Sequence, residues 1–279
     1  MKCCKIFDRQ TDRQTDRQTD RQTDRQTDRQ TIPKIINYCW FGNNKKTRLA
    51  KRCIKSWKKY FPQYQVIEWN EDNYDIQSAP LYVRQAYEAK KWAFVSDYVR
   101  FDILYKMGGV YFDTDVEVTN SMNDILISHG YVGCEDDGGD NSIIRLNPGI
   151  GCAFEPSHVL CEEILNSFAN DTFIKENGEM NLKTIDSRTT EVFLNHGMKN
   201  IEGKQIIEGV VVYPKEFFAP LDRSSGKMNR TVNTRSIHWW DSSWRIDIKY
   251  GHVFTRYFRT RLRKLFGNKY YNVRNRLRH

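Results

Sequence analysis

The chain has 279 residues, 39% of them hydrophobic and 13% aromatic, with 44 Lys or Arg against 35 Asp or Glu for a formal net charge of +9. These proportions suit a globular body with polar extensions, and no apolar run reaches the roughly 18 to 20 residues that would cross a bilayer. Seven cysteines, an odd number without a Cys-x-x-Cys pair, argue against a disulfide framework or a zinc site. Cys39 and Cys152 fall in apolar, strand-like runs where a thiol behaves as a small hydrophobe. The start, Met-Lys-Cys-Cys-Lys, has charge but no apolar segment behind it, so the expected location is cytoplasmic.

Residues 8–31 are six copies of Asp-Arg-Gln-Thr. The repeat offers no apolar side chain to bury before Ile32, and residues 1–31 are expected to be a disordered segment. Its acids and bases balance, which argues against an electrostatic nucleic-acid arm. The codons GAC-AGA-CAG-ACA spell this repeat and are also three copies of GACA. A slippage tract that shifts the reading frame, and so makes expression phase-variable, accounts for the repeat without a role in the protein.

Residues 32–250 then read as one α/β domain. Ile35 to Phe41 is an expected strand, and Thr47 to Tyr60 a helix with Leu49, Cys53, Ile54 and Trp57 at helical spacing. Gln65 to Trp69 reads as a strand and Pro80 to Lys91 as a helix. A second helix carries Asp97 and Arg100, three residues apart and therefore neighbours on one face. It should stop at Gly108-Gly109, where glycine supplies a left-handed cap. Val110 to Phe112 follows as a buried strand, and Asp113 and Asp115 emerge at its end. Two carboxylates one residue apart project the same way from extended chain, and their hard oxygens suit Mg²⁺ or Mn²⁺ bridging a diphosphate.

Farther on, Tyr131 to Cys134 and Gly149 to Phe154 read as strands separated by a polar loop from Glu135 to Asn141. Its acids Glu135, Asp136 and Asp137 either position an acceptor or form a solvated turn. Helices are expected at Ser157 to Ala169 and near Thr189 to His196, and one strand at Ile206 to Tyr213. Strands alternating with helices predict a sandwich that binds ligands at strand carboxyl ends. Residues 251–279 hold nine Lys or Arg and no acid. Val253, Phe254, Tyr257, Phe258, Leu262, Leu265 and Phe266 recur there at helical spacing. That pattern predicts a basic amphipathic tail on an anionic membrane surface, in preference to nucleic acid.

The run Ser96-Asp97-x-x-Arg100, then Leu104-Tyr105-x-x-Gly108-Gly109-x-Tyr111-x-Asp113-x-Asp115, resembles the signature of the Asp-x-Asp sugar-binding glycosyltransferases. This is glycosyltransferase family 32, with its fungal mannosyltransferases and bacterial capsule and lipooligosaccharide transferases; the glucosylating clostridial toxins are more distant. Ile32 to Gly42 resembles the family's opening strand, with Asn37 where a His is usual. His238-Trp239-Trp240-Asp241-Ser242-Ser243-Trp244 resembles its closing motif.

The resemblance implies a GT-A fold with a mostly parallel central sheet. It also implies a retaining, metal-dependent hexosyltransferase that moves sugar from a UDP- or GDP-hexose to a glycan or glycolipid acceptor such as lipooligosaccharide or capsule. It assigns base stacking to Trp40, ribose and donor-sugar contacts to Asp97 and Arg100, and sugar and metal contacts to Asp113. Metal ligation falls to Asp115 and, with Asp241 as alternative, to His238. Ser243 and Trp244 would hold the leaving diphosphate. Core packing is the competing fate for Trp40 and His238. A metal phosphohydrolase or nucleotidyltransferase, and a non-catalytic glycan-binding protein, are the alternative functions.

Overall fold

A computed structural model describes residues 32–138, 142–223 and 225–241. The Asp-Arg-Gln-Thr repeat, Ser243, Trp244 and the basic tail lie outside the described residues. Strand β1 (Ile35–Cys39) runs parallel to β2 (Gln65–Trp69) on one side and to β3 (Gly109–Tyr111) on the other. Helix α1 (Arg48–Tyr60) makes the first crossover. Thr47 starts it, its Oγ1 accepting from Ala50 N at 3.0 Å, which satisfies one of the amides a helix start leaves open. Ala50, Cys53 and Trp57 form its buried stripe.

After α2 (Leu81–Glu88), helix α3 (Trp92–Met107) is apolar nearly all round and buried from Phe94 to Leu104 apart from three positions. Gly108 (φ 66°) and Gly109 (φ 104°) end it in left-handed backbone as expected. A Cβ on Gly109 would stand 2.7 Å from the Ile35 carbonyl oxygen, so β3 can begin at once beside β1. Asn37 secures this junction. It is fully buried; its Nδ2 donates to the carbonyls of Gly108 (3.2 Å) and Val110 (3.4 Å), and its Oδ1 accepts from Trp69 Nε1 at 3.0 Å.

The rest of the sheet comes from β5 (Gly130–Asp136), β6 (Arg145–Leu146), β7 (Cys152–Phe154), β8 (Gln205–Ile207) and β9 (Val210–Tyr213). Its order is β2-β1-β3-β7-β5-β9-β8, with β6 also on β5. Strands β2, β1, β3, β5 and β9 point one way, whereas β6, β7 and β8 oppose them. The sheet is thus mostly parallel in strand direction. A separate antiparallel ribbon pairs β4 (Val116–Val118) with β10 (Ser236–His238).

Alternation of side chains along the strands sends Cys39, Tyr111, Val132 and Val212 to one core, packed with α2, α3, α4 (Val159–Asn166) and α5 (Ile185–Asn195). Ile36, Tyr38, Val110 and Tyr131 go to the other, with α1, α6 (Lys215–Phe218) and the ribbon. Helices therefore cover both faces of the sheet.

Several expected elements change. Ile206 to Tyr213 is a hairpin, not one strand: Glu208 (φ 49°) and Gly209 (φ 79°) occupy the left-handed pair of a two-residue turn. Pro148–Ile150 is a 3₁₀ turn, which suits a proline without an amide to donate, and only Cys152–Phe154 is strand. Glu135 and Asp136 belong to β5 rather than a loop, while Asp137 caps α6 by accepting from Lys215 N. The expected Thr189 helix begins at Ile185, with Thr184 as its cap.

Candidate active site

The carboxyl ends of β1, β3 and β5 meet at a cavity of about 390 Å³, the position where open α/β sheets bind ligands. Trp40, Asp97, Arg100, Asp113, Asp115, His238 and Asp241 all line it. Ser243 and Trp244 lie outside the described residues.

The Asp-x-Asp pair is held differently from the strand alternation expected of it. Strand β3 ends at Tyr111, and Asp113 to Val116 is a turn closed by Val116 N donating to the Asp113 carbonyl at 3.0 Å. Asp113 N donates to Gly149 O at 2.9 Å. A Cβ on Gly149 would stand 2.1 Å from Asp113 Oδ2, so only glycine leaves room for this carboxylate. Asn147 Oδ1 in turn accepts from Gly149 N at 2.8 Å.

Arg100, 3% exposed, places Nη2 2.9 Å from Asp113 Oδ1 and 3.6 Å from Asp97 Oδ1. Its guanidinium lies 4.5 Å from the centre of the Tyr111 ring. The helical spacing of Asp97 and Arg100 therefore does what the sequence implied, and Arg100 also reaches the Asp-x-Asp turn. Burial pushes the Asp97 carboxyl up to about 7 even against the nearby guanidinium.

His238 reaches the same place because β10 pairs with β4, setting it opposite Val116. Its Nε2 lies 3.1 Å from Asp115 Oδ1, and Asp241 N donates to Asp115 Oδ2 at 2.8 Å. Burial alone would raise the Asp115 pKa, but the His238 charge and hydrogen bond outweigh it and hold the carboxyl below its usual range. Burial would likewise lower His238, and the facing Asp115 overturns that, so the imidazole titrates above its ordinary value. The ligand atoms of Asp113, Asp115 and His238 all lie within 4.8 Å of one another, forming the metal-capable cluster among the described residues. Asp241, the alternative ligand, meets Asp115 through its amide and is not in that cluster.

Trp40 is half-buried. It packs against the second core and also lines the cavity, with Nε1 donating to Asn44 O at 2.7 Å. Asn37, which replaces the usual His of the opening strand, is absorbed in the fold and absent from the lining.

Sequence reasoning missed Asn147 and Asp186 as lining residues and assigned Glu135 to a loop. Glu135 Oε2 accepts from Asn147 Nδ2 at 3.0 Å, and its Oε1 lies 3.1 Å from Arg145 Nη2. The Asn-Pro-Gly run was a readable turn signal; nothing local marks Asp186. Burial, reinforced by Glu135 and Asp97, pushes the Asp186 carboxyl up to about 8. An acid with a raised folded pKa binds more protons when folded, so its contribution to stability is lost as pH rises from ~4 through that value. Asp186→Asn is accordingly expected to raise Tm more at about pH 8 than at about pH 5. Melting both proteins across that range checks it, and an equal change at the two pH values would contradict it.

One turn thus gathers two aspartates and an imidazole at the carboxyl edge of the α/β sheet. The family model described as "Glycosyltransferase sugar-binding region containing DXD motif" matches residues 47–131, from the cap of α1 to the start of β5. The chain carries the sugar-binding region of the DXD glycosyltransferases, and it is a glycosyltransferase. Asp97, Arg100, Asp113 and Asp115 fall inside the match; Glu135, Asn147, Asp186 and His238 are brought to it by the fold. No curated protein matches the sequence.

Among solved structures, the chain is similar to the PaToxG glycosyltransferase (18% identity, TM-score 0.43, over 59% of this chain and 69% of that one). It is also similar to a glycosyltransferase involved in the glycosylation of the major capsid of PBCV-1 (12% identity, TM-score 0.40, 73% and 92%). A third likeness is the galactosyltransferase LgtC in complex with donor and acceptor sugar analogs (13% identity, TM-score 0.40, 80% and 94%).

Proposed function

We propose that the cavity binds a UDP- or GDP-hexose with Mn²⁺ or Mg²⁺, and that the chain transfers the hexose with retention of configuration to a surface glycan or glycolipid. The observation that carries this reading is the convergence of Asp113, Asp115 and His238 within 4.8 Å at the cavity. Two carboxylates suit either Mn²⁺ or Mg²⁺, and an imidazole beside them favours the transition metal Mn²⁺. His238 Nδ1, moreover, is buried with no hydrogen-bond partner among the described residues. When bound, such a cation stabilises negative charge on a departing diphosphate.

The chain's own groups do the rest. Arg100 fixes the Asp113 carboxylate, and with Asp97 it offers a donor and an acceptor to ribose and sugar hydroxyls. Trp40 presents an indole to the nucleobase. Ser243 and Trp244 are proposed to contact the diphosphate. No side chain stands out as a covalent nucleophile, so attack from the leaving-group face, with the leaving phosphate taking the acceptor proton, is the mechanism we favour. His238 ligates only when neutral, so cation uptake and protonation of this imidazole exclude each other.

The acceptor we favour is lipooligosaccharide or capsule, met at the inner face of the cytoplasmic membrane. The basic tail, residues 251–279, would hold the enzyme there, and the GACA-compatible repeat would switch its expression. Thermal-shift titration tests the site. Mn²⁺ with the correct UDP- or GDP-hexose should stabilise by about 2.7 kcal/mol at a hundred times Kd, and nucleotide-sugar without cation should do far less. Product analysis then separates transfer from hydrolysis: turnover that proceeds fully without acceptor would overturn the transferase reading.

A further inference from the structure

The charge of the described body is segregated. Between residues 45 and 59 there are eight Lys or Arg and no acid, whereas the rest of residues 32–241 hold seventeen basic and twenty-eight acidic side chains. The basic block is α1 and its approach. Arg48, Lys51, Lys55 and Lys58 are exposed, and their spacing of three, four and three residues sets them on one helical face, opposite Ala50, Cys53 and Trp57 in the core. Lys46 and Arg52 are engaged, by Glu68 at 2.6 Å and Glu117 at 3.1 Å. Arg48, Lys51, Lys55 and Lys58 make no ion pair with a described carboxylate. The same block opens on the cavity, which Asn44, Lys45 and Thr47 line.

We propose that the outer face of α1 docks on an anionic lipid bilayer and so sets the mouth of the cavity at the membrane surface. The stripe is straight and about 15 Å long at 1.5 Å per residue, a line of charge that one plane can meet all at once. Three of its four cations are lysines, compact point charges suited to a diffuse anionic surface; arginine is the side chain that forks onto individual phosphates. No aromatic ring stands between them on the exposed face to stack on bases. The acidic remainder of the body would be repelled by the same bilayer, which makes the orientation selective, and it would equally repel a polyanion wrapping around the domain. Stable attachment of a peripheral protein takes two signals, and this face would supply one besides the tail.

The experiment uses the full chain and vesicles of phosphatidylcholine, either alone or with about a third phosphatidylglycerol, without donor, so that a failed transferase reading leaves the result interpretable. Each basic residue near such a surface is worth about fivefold in partition. Lys51→Gln/Lys55→Gln/Lys58→Gln should therefore weaken binding to anionic vesicles roughly a hundredfold, with an unchanged melting temperature and little binding of either protein to neutral vesicles. Unchanged partition of the triple variant would overturn the proposal. So would wild-type binding that ignores lipid charge, or a variant that loses duplex DNA binding while keeping vesicle binding.

Discussion

Asp115→Asn is expected to lower glycosyl transfer about a thousandfold with the fold retained. Asp115 is the acid that His238 Nε2 and the Asp241 amide address together, at 3.1 and 2.8 Å. An amide of the same shape still accepts from Asp241 N, but it turns a donor toward the imidazole and removes the negative charge that a cation requires. Losing one preorganised electrostatic group at a reacting centre typically costs a factor of 10² to 10³ in turnover, about 2.7 to 4 kcal/mol. The folding cost is that of one hydrogen bond to a charged group, about 1.5 to 3 kcal/mol. Steady-state kinetics beside calorimetry reads both. Activity within tenfold of wild type would remove Asp115 from the mechanism, and so would a loss explained by unfolding alone.

Arg100→Met should have the largest effect on stability. The guanidinium is buried between Asp97 and Asp113 and stacked on Tyr111. Removing one partner of a buried ion pair leaves charge uncompensated and costs about 3 to 5 kcal/mol; Asp113 still reaches the cavity, which favours the lower end. The loss should depend on pH. Asp97 already titrates at about 7 with Arg100 present, and without the cation it must rise further. A raised folded pKa makes the penalty grow as pH climbs from the unfolded value near 4 through the folded one. The gap between variant and wild type is therefore expected to be wider at about pH 8 than at about pH 5. Asp97→Asn in the Arg100→Met background should recover part of it, since the two positions share one charge cluster. A gap independent of pH would show that Arg100 contributes packing alone.

Legibility of the fold followed sequence separation. Helix α3, its Gly108-Gly109 stop and β3 are written in adjacent residues, and they formed as expected with a strand boundary shifted by one. The ribbon was illegible from periodicity: β4 and β10 are three residues each and pair across more than a hundred positions. Such short strands carry no measurable alternation. His238 was found through the resemblance of its motif, and only the ribbon explains how it meets Asp115. Asp186 shows the opposite limit. Its neighbours in the chain read as an ordinary helix start, and what makes it unusual is Glu135 and Asp97, carried by β5 and α3. Asn37 looked like a departure at the donor site, yet its amide closes the junction between three strands.

The pairing of Val116–Val118 with Ser236–His238 ties the chemistry to completion of the domain. One short segment near its far end supplies both an edge of the second core and the imidazole beside Asp115. A polypeptide interrupted anywhere upstream of it would forfeit that imidazole and the buttress of the second core in a single stroke.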